Sequence, residues 1–239
     1  MTIAAIFAGG VGSRMGEQAG PKQFLPLAGV PIIARTAKKF YDMSDIDSVI
    51  VLSPKDWLQE TEALLARHMG DTSKLHVIAG GADRTGTLKE LLNYIKANIE
   101  VDENTVLLTH DAVRPLLDKR IILENIEAAR EHGACGTYIP AVDTIAQSVD
   151  GKILTSVPPR DQMFLTQTPQ SFNFKELVRH FSALTDQEKS ALTDVCSVFS
   201  ISGRAVFMVR GIPANIKITY PEDLVLAESL LALSLEETK

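Results

Sequence analysis

A glycine-rich segment near the N-terminus carries two cations that could act on a reacting phosphate. Residues 6–24 read IFAGGVGSRMGEQAGPKQF, with Gly9 and Gly10 directly after an apolar run and with Arg14 and Lys22 further along. Backbone N–H groups in such a turn bind phosphate oxygens. Fixed cations stabilise the charge that accumulates on a triphosphate in the transition state. The alternative is a surface turn with two solvated cations.

The spacing of this segment excludes two common phosphate loops. In the dinucleotide fingerprint, a third glycine would follow Gly10 and Gly12 at the position where Met15 stands. The Gly-Lys-Ser/Thr ending of the ATPase phosphate loop is also missing. The segment therefore predicts a phosphate site of another class.

The stretch HDAVRP offers a carboxylate at the end of an apolar strand. Asp111 could hold Mg²⁺, which takes one or two carboxylates together with phosphate oxygens. Alternatively, Asp111 caps the turn and pairs with Arg114. We interpret His110 as structural, because a phosphate nucleophile is already ionised and needs no general base.

Two further stretches bear polar groups that could bind anions. The turn GGADRTGT leads into a helix, so its N–H groups could contact a base edge or a phosphate. In the alternative, Asp83 and Arg84 of this turn pair with each other. Lys217 lies in the apolar stretch NIKIT, where a lysine is costly unless it faces an anion or water. The alternative there is an edge-strand lysine.

The elements that must position these residues alternate between strand and helix. Near-continuous apolar strands such as SVIVLS separate amphipathic segments such as KDWLQETEALLARHMG. This alternation predicts an α/β fold, a single Rossmann-like domain over residues 1–239 with a mostly parallel central sheet and helices on both faces. Loops that follow parallel strands meet at the carboxyl edge of the sheet, where ligands bind in such folds. The glycine loop, GGADRTGT and HDAVRP all follow strands.

The rhythm changes over residues 142–172, which we predict to form a protruding β-hairpin arm. Two short alternating segments flank the turn VDGK, and Asp-Gly between such segments favours a hairpin. The chain then returns to helix over residues 174–181 and 186–198. Strands near AVFMVRG and NIKIT follow, and a closing helix begins at PED.

Composition narrows the class of protein. Hydrophobic residues make up 45%, and the net charge of −6 argues against a general nucleic-acid binder. No apolar run reaches membrane-spanning length, and the N-terminus lacks a basic signal region, which together predict a cytoplasmic protein without membrane insertion. Cys135 and Cys196 are widely separated and are interpreted as buried free thiols.

Several motifs, taken in order, resemble those of the cytidylyltransferases that activate polyol phosphates. The motifs are AGGVGSRMG, PKQFLPLAGVPII, GGADR, HDAVRP, DTI, QTPQSF, LTD and NIKITYPEDL. The resemblance covers residues 3–230. One branch of this family is ribitol-5-phosphate cytidylyltransferase of teichoic acid synthesis, and the other is 2-C-methyl-D-erythritol 4-phosphate cytidylyltransferase of isoprenoid synthesis. The double glycine AGG, HDAVRP, AVDTI and LTDQEKSALTDVC are more similar to the ribitol branch.

The resemblance implies a homodimeric enzyme that depends on CTP and Mg²⁺. The polyol phosphate attacks the α-phosphorus of CTP in line, and pyrophosphate leaves. Arg14 and Lys22 match transition-state stabilisers, and Arg160 and Lys217 match residues that hold the attacking phosphate. Asp111 matches the metal ligand, and Thr144 matches a polyol contact. The matched CTP contacts are Ala8, Gly9, Gly10, Gly81, Ala82, Asp83, Arg84, Thr87 and Ala112.

In the family, the arm reaches across to the other subunit, which would place Arg160 and Thr144 in the partner's site. Ala82 stands where some relatives carry a polar residue, so cytosine selectivity here would rest on backbone groups. Two other hypotheses remain open from the residues. One is an enzyme on the same scaffold with another nucleotide or sugar phosphate, and the other is a nucleotide-binding regulator without turnover.

Overall fold

The computed structural model describes residues 1–9 and 21–236 of the chain. Strands within these ranges are β1 (Thr2–Phe7), β2 (Pro26–Leu27), β3 (Val30–Pro31), β4 (Ser48–Ser53), β5 (Leu75–Ala79), β6 (Val106–Asp111), β7 (Ala134–Pro140), β8 (Phe164–Asn173) and β9 (Phe207–Arg210). Helices within them are α1 (Ile32–Tyr41), α2 (Leu58–Met69), α3 (Arg84–Asn98), α4 (Lys119–His132), α5 (Phe174–Ala183), α6 (Asp186–Ser190), α7 (Ser197–Ile201) and α8 (Pro221–Glu236).

The central sheet has the order β5-β4-β1-β6-β8-β7-β9 among the described strands. Its pairs are parallel except for the two that involve β8, which runs antiparallel to both β6 and β7. The short strands β2 and β3 form a separate antiparallel pair. The predicted α/β fold with a mostly parallel sheet is confirmed.

Apolar side chains cover both faces of the sheet. On β1, Ala4 and Ile6 belong to a cluster with buried side chains of α1, α2 and α4. The intervening residues Ile3 and Ala5 belong to a second cluster with α3, α5 and α7. Because successive residues of a strand point to opposite faces, a strand buried on both sides is apolar throughout. This explains why the parallel strands are near-continuous apolar runs in the sequence.

The strand order reverses next to β1. The chain leaves β1 through α1 to β4 on one side, continues to β5, and then returns to β6 on the other side of β1. Phe7, the last residue of β1, is in register with Asp111, the last residue of β6. Ligands of open α/β sheets bind at the carboxyl ends of strands where the order reverses. The candidate site is therefore expected beside Phe7 and Asp111.

The predicted arm is shorter than residues 142–172. Its last part is β8, a strand of the central sheet that pairs with β6 and β7, so the protruding segment ends before Phe164. Gln170 of β8 is buried and polar, and its amide donates to Asp194 (2.6 Å) and accepts from the N–H of Val195 (3.0 Å). The stretch QTPQSF has the polar composition of a loop although it lies in the sheet, because its buried polar side chains are hydrogen-bonded to other parts of the chain. The hairpin itself is tied by the bridge between Gln147 and Ser156.

Two other predicted elements differ from the structure. The stretch NIKIT forms no strand of either sheet, and the N–H of Ile218 donates to the carbonyl of Val113 (2.9 Å). The helix predicted over residues 186–198 is interrupted between α6 and α7. Asp194 accepts from the N–H of Ser197 (2.9 Å), and such local side-chain bonds compete with helix formation.

Cys135 and Cys196 are free and buried, as predicted. Burial raises the pKa of the Cys135 thiol to about 12, so this thiol is unreactive at neutral pH. No helix in the part of the chain that the structure describes is long and apolar enough to cross a membrane.

Candidate active site

A buried carboxylate at the carboxyl edge of the sheet is contacted by three cations. Oδ1 of Asp111 lies 3.2 Å from Nη1 of Arg84. Oδ2 of Asp111 lies 3.3 Å from Nε of Arg114 and 3.1 Å from Nζ of Lys217. The cations come from α3, from the turn after β6 and from the NIKIT segment, so one carboxylate joins three parts of the chain.

Arg84 reaches Asp111 because Asp83 starts α3 beside it. The Asp83 carboxylate accepts from the N–H of Gly86 (2.6 Å) and so caps the helix. The guanidinium of Arg84 lies over the ring of Phe7, 5.6 Å from its centroid. Asp83 therefore serves the helix, and Arg84 pairs with Asp111 in place of the Asp83 pairing considered from the sequence.

Arg114 links the Asp111 turn to the NIKIT segment. Its N–H donates to the carbonyl of Asp111 (3.1 Å), and its Nη1 donates to the carbonyl of Asn215 (2.8 Å). The Asn215 side chain in turn donates to the carbonyl of Thr168 (2.8 Å). These bonds hold Lys217, two residues further on, within reach of Asp111. The pairing of Asp111 with Arg114, one of the alternatives from the sequence, is present.

The charges around Asp111 determine its protonation. Burial raises the pKa of this carboxyl, but Arg84, Lys217 and Arg114 more than offset that effect and hold its pKa well below the usual range. Burial also lowers the pKa of Arg114, and the neighbouring Asp111 opposes that shift. Asp111 is therefore an anion at neutral pH.

The turn before α3 is a close-packed glycine turn. The N–H of Gly81 donates to Oγ1 of Thr87 (3.1 Å), and that hydroxyl donates to the carbonyl of Asp83 (2.7 Å). A Cβ at Gly81 would lie 2.6 Å from both Cα of Gly86 and N of Thr87, so only glycine fits. A Cβ at Gly9 would lie 3.7 Å from Oγ1 of Thr87, which shows that the end of β1 and this turn are adjacent.

Lys22 and Gln23 connect the N-terminal segment to the same edge. Lys22 begins a short 3-10 helix (Lys22–Phe24), its side chain is buried, and its Nζ donates to the carbonyl of Ile218 (2.8 Å). The amide of Gln23 donates to the carbonyl of Ala8 (2.6 Å). Lys22 thus lies against the segment that carries Lys217.

His110 is buried behind Asp111. One ring nitrogen, Nε2, lies 3.1 Å from the carbonyl oxygen of Arg114, and Nδ1 lies 2.9 Å from Oγ1 of Thr168. The N–H of Asp111 donates to the same hydroxyl (3.1 Å). Burial lowers the pKa of His110 to about 4, so the ring is neutral at pH 7.

The structure brings together most of the residues proposed from the sequence and separates two of them. Ala112 joins the site because its N–H donates to the carbonyl of Phe7 (3.0 Å). Arg160 and Thr144 lie on the exposed arm, where Nη1 of Arg160 donates to the carbonyl of Val142 (3.2 Å). Gly10 and Arg14 lie outside the described residues. The residues at the edge are Ala8, Gly9, Lys22, Gly81, Ala82, Asp83, Arg84, Thr87, Asp111, Ala112 and Lys217.

The sequence alone indicated no site role for Gln23, Arg114, Thr168 or Asn215. Arg114 entered only as a partner for Asp111, and its second bond, to the NIKIT segment, is between residues 101 positions apart. Gln23 and Thr168 lie within PKQ and QTPQSF, two motifs of the family resemblance, and these motifs were the sequence signal for them.

The described residues contain no group of three or more His, Cys, Asp or Glu side chains that could hold a metal ion by themselves. Asp111 nevertheless supplies an ionised oxygen donor at the edge. Mg²⁺ often takes one carboxylate and completes its coordination with substrate phosphates and water. The donor set therefore fits a metal that arrives with a phosphorylated substrate, and it does not fit a metal held by protein ligands alone.

Known proteins are similar to this chain over nearly its whole length. The family model described as IspD, 2-C-methyl-D-erythritol 4-phosphate cytidylyltransferase, matches residues 2–233. A ribitol-5-phosphate cytidylyltransferase of Lactiplantibacillus plantarum is 42% identical over 97% of this chain and 98% of its own length.

Solved structures show the same architecture. A 4-diphosphocytidyl-2C-methyl-D-erythritol synthase of Anaerococcus prevotii is similar with a TM-score of 0.78 at 26% identity, over 97% of this chain and 96% of that one. A 2-C-methyl-D-erythritol 4-phosphate cytidylyltransferase of Francisella tularensis has a TM-score of 0.79 at 26% identity, over 96% and 99% of the two chains.

Proposed function

The chain belongs to the 2-C-methyl-D-erythritol 4-phosphate cytidylyltransferase (IspD) family, and we propose that it transfers the cytidylyl group of CTP to D-ribitol 5-phosphate. The products are CDP-ribitol and pyrophosphate. The observation that carries the choice of acceptor is the 42% identity, over nearly the full length of both chains, to a ribitol-5-phosphate cytidylyltransferase. The methylerythritol-named structures are 26% identical.

The reaction is one substitution at phosphorus. An oxygen of the ribitol phosphate forms a bond to the α-phosphorus of CTP, and the bond from that phosphorus to the pyrophosphate oxygen breaks. The attacking oxygen is already ionised, so no side chain has to remove a proton. The task of the protein is to position two anions and to stabilise the charge that shifts to the leaving group.

The described residues suit this task. In the proposal, the turn with Gly81 and Thr87 contacts the nucleotide through backbone N–H groups. Lys22 stabilises the leaving pyrophosphate, together with Arg14 of the segment outside the described residues. Lys217 holds the attacking phosphate and exchanges its contact with Asp111 for one with the substrate.

Asp111 is the residue that would hold Mg²⁺. When bound, this ion would neutralise part of the triphosphate charge. Both carboxylate oxygens already contact cations at 3.1–3.3 Å. These distances are longer than those of short charge-assisted hydrogen bonds. Asp111 could therefore exchange a contact with a cation for one with Mg²⁺ without losing a short bond.

The exposed arm would contact a second copy of the chain. Val142, Val149, Ile153, Leu154 and Val157 of the arm have exposed fractions between 52% and 90%. Such a set of exposed apolar side chains favours an interface. We propose a homodimer in which each arm brings Arg160 and Thr144 to the site of the partner.

The resemblance and the CTP requirement also favour a cytoplasmic enzyme of teichoic acid synthesis. An enzyme of that pathway would make CDP-ribitol for a further reaction that transfers ribitol phosphate from it.

The direct test is a comparison of acceptors with the purified chain. Pyrophosphate release is measured with CTP, Mg²⁺ and either D-ribitol 5-phosphate or 2-C-methyl-D-erythritol 4-phosphate, and each of the other three nucleoside triphosphates then replaces CTP. We expect kcat/KM to be highest for CTP with ribitol phosphate. A higher kcat/KM with methylerythritol phosphate would transfer the assignment to that acceptor, and turnover with neither would refute cytidylyl transfer.

The arm exchange is tested by mixing two inactive variants. Lys22→Ala and Arg160→Ala each remove one group from a site, and a mixed dimer keeps one intact site only if the arm acts on its partner. Because half of randomly mixed dimers are mixed, recovery of about a quarter of wild-type activity is expected. No recovery after unfolding and refolding the mixture together would show that Arg160 acts within its own chain.

A further inference from the structure

His110 closes a ring of hydrogen bonds around the turn that carries Asp111. Its Nε2 lies 3.1 Å from the carbonyl oxygen of Arg114. On the other side of the imidazole, Nδ1 lies 2.9 Å from Oγ1 of Thr168, and this hydroxyl is 3.1 Å from N of Asp111. The N–H of Arg114 returns to the carbonyl of Asp111 (3.1 Å). The ring therefore begins and ends on the same turn.

For a neutral imidazole, the donors and acceptors allow only one arrangement of protons in this ring. A carbonyl oxygen cannot donate, so Nε2 must carry the hydrogen that is bonded to Arg114. The backbone N–H of Asp111 cannot accept, so the Thr168 oxygen accepts from it. The hydroxyl hydrogen of Thr168 is then left to bond to Nδ1, which is unprotonated in the neutral ring.

Burial protects this arrangement from water. His110 and Thr168 are both buried, and the imidazole lies against the ring of Phe40 with 5.1 Å between centroids. Thr168 is also fixed from its other side, because its carbonyl accepts from the amide of Asn215 (2.8 Å). Asn215 lies two residues before Lys217 in the sequence. The ring thus connects the two residues whose charges face each other, Asp111 and Lys217.

We propose that His110 is a positioning residue, which in one neutral tautomer with the hydrogen on Nε2 fixes the turn from Asp111 to Arg114 against Thr168. It touches no reacting atom. Its role is to set the direction of the Asp111 carboxylate, the group that would hold Mg²⁺ and that faces Lys217. The inference deepens the proposed function and rests on it, since both concern the same site.

Kinetic variants test whether the ring serves the reaction. Thr168→Val keeps the shape of the side chain but removes the hydroxyl, Thr168→Ser keeps the hydroxyl, and His110→Phe keeps an aromatic ring without nitrogens. We expect Thr168→Val and His110→Phe to lower kcat by about 10-fold or more, as loss of an outer-shell partner does. The KM for CTP should change less than kcat does, because the Gly81 turn, which the proposal gives to the nucleotide, is fixed by its own bond to Thr87. Thr168→Ser should recover most of the lost activity.

The double variant distinguishes a shared role from two separate ones. If His110 and Thr168 act as one unit, the variant with His110→Phe and Thr168→Val should lose about as much kcat as the worse single variant. Losses that multiply would refute the proposal. A fall in melting temperature with unchanged kcat would also refute it, because it would leave His110 with a purely structural role.

A spectroscopic measurement keeps the proposal testable even where a variant does not fold or wild type shows no turnover. Nitrogen-15 NMR of wild-type protein with labelled histidine, at neutral pH, should show His110 with Nε2 protonated and Nδ1 unprotonated. The signal is assigned by its absence from His110→Gln. Protonation at Nδ1 would overturn the inference, whereas absence of cytidylyl transfer by wild type would refute only the proposed function.

Discussion

Removing the charge of Asp111 should reverse the effect of Lys217 on stability. In wild type, Lys217 faces both an anion and two other cations, since Asp111 also contacts Arg84 and Arg114. In Asp111→Asn only the repulsion among the cations remains. Lys217→Met should therefore slightly destabilise the wild-type protein and stabilise the Asp111→Asn variant.

The contacts give the expected size of this effect. Two unit charges 3.1 Å apart interact by about 1 kcal/mol in water and by about 5 kcal/mol at an effective dielectric constant of about 20. The Lys217 side chain is 41% exposed, so screening favours the lower figure, and we expect a coupling of about 1–2 kcal/mol. Asp111→Asn alone should cost about 3 kcal/mol, because it leaves Arg114, whose side chain is only 11% exposed, without its anion.

Urea unfolding of wild type, the two single variants and the double variant measures the coupling. The midpoints should differ while the denaturant dependence stays the same, since the surface exposed on unfolding hardly changes. Lys38→Met is the matched control, because Lys38 also pairs with an aspartate (Asp42, 2.9 Å) but on an exposed helix surface, where the expected change is below about 0.5 kcal/mol. An equal loss from Lys217→Met in both backgrounds would refute the electrostatic account of the cluster.

Three other outcomes follow from the site. Lys22→Ala should lower kcat by about 10²-fold with little change in KM for CTP, and an unchanged kcat in steady-state assays would remove Lys22 from transition-state stabilisation. Because burial lowers the pKa of His110 from 6.5 to about 4 on folding, the unfolded chain binds this proton first, and stability should fall by about 3 kcal/mol as pH drops through that window. The urea midpoint of His110→Gln should depend less on pH across the same window. Gly81→Ala should raise KM for CTP at least about 10-fold, because the new Cβ would meet the backbone of Gly86 and so deform the turn. Isothermal titration with CTP should show the same loss of affinity. An unchanged affinity would show that this turn does not bind the nucleotide.

The sequence was sufficient to predict the edge of the sheet at which Asp111 and Arg84 meet, whereas Lys217 was assigned to the same site only through the family resemblance. Strands buried on both faces are apolar throughout, so their ends are visible as changes from apolar to polar residues. Because parallel strands end at a common edge, polar residues after β1, β5 and β6 had to be neighbours. This reasoning needs only the order of strands and loops and no side-chain detail.

The sequence did not predict β8, because the polarity of this strand concealed its burial. Gln170 and Ser171 are fully buried, yet their hydrogen bonds go to residues from α4 and from the loop before α7. Such pairings depend on tertiary contacts and leave no periodic signal. The same reason kept Arg114 out of the predicted site, since its second partner is Asn215, far away in sequence.

In the proposed function, the charge balance at the edge allows an acidic protein to bind two anionic substrates. The chain carries a net charge of −6, yet around Asp111 three cations face one carboxylate, which leaves two positive charges in excess. Without substrate, Asp111 lowers the mutual repulsion of these cations and keeps them together at one point. In the proposal, phosphate oxygens would replace the carboxylate as partners for the same cations and would supply the missing negative charge. A site that is pre-organised in this way needs little rearrangement when the substrates bind, because its cations are already directed at one place.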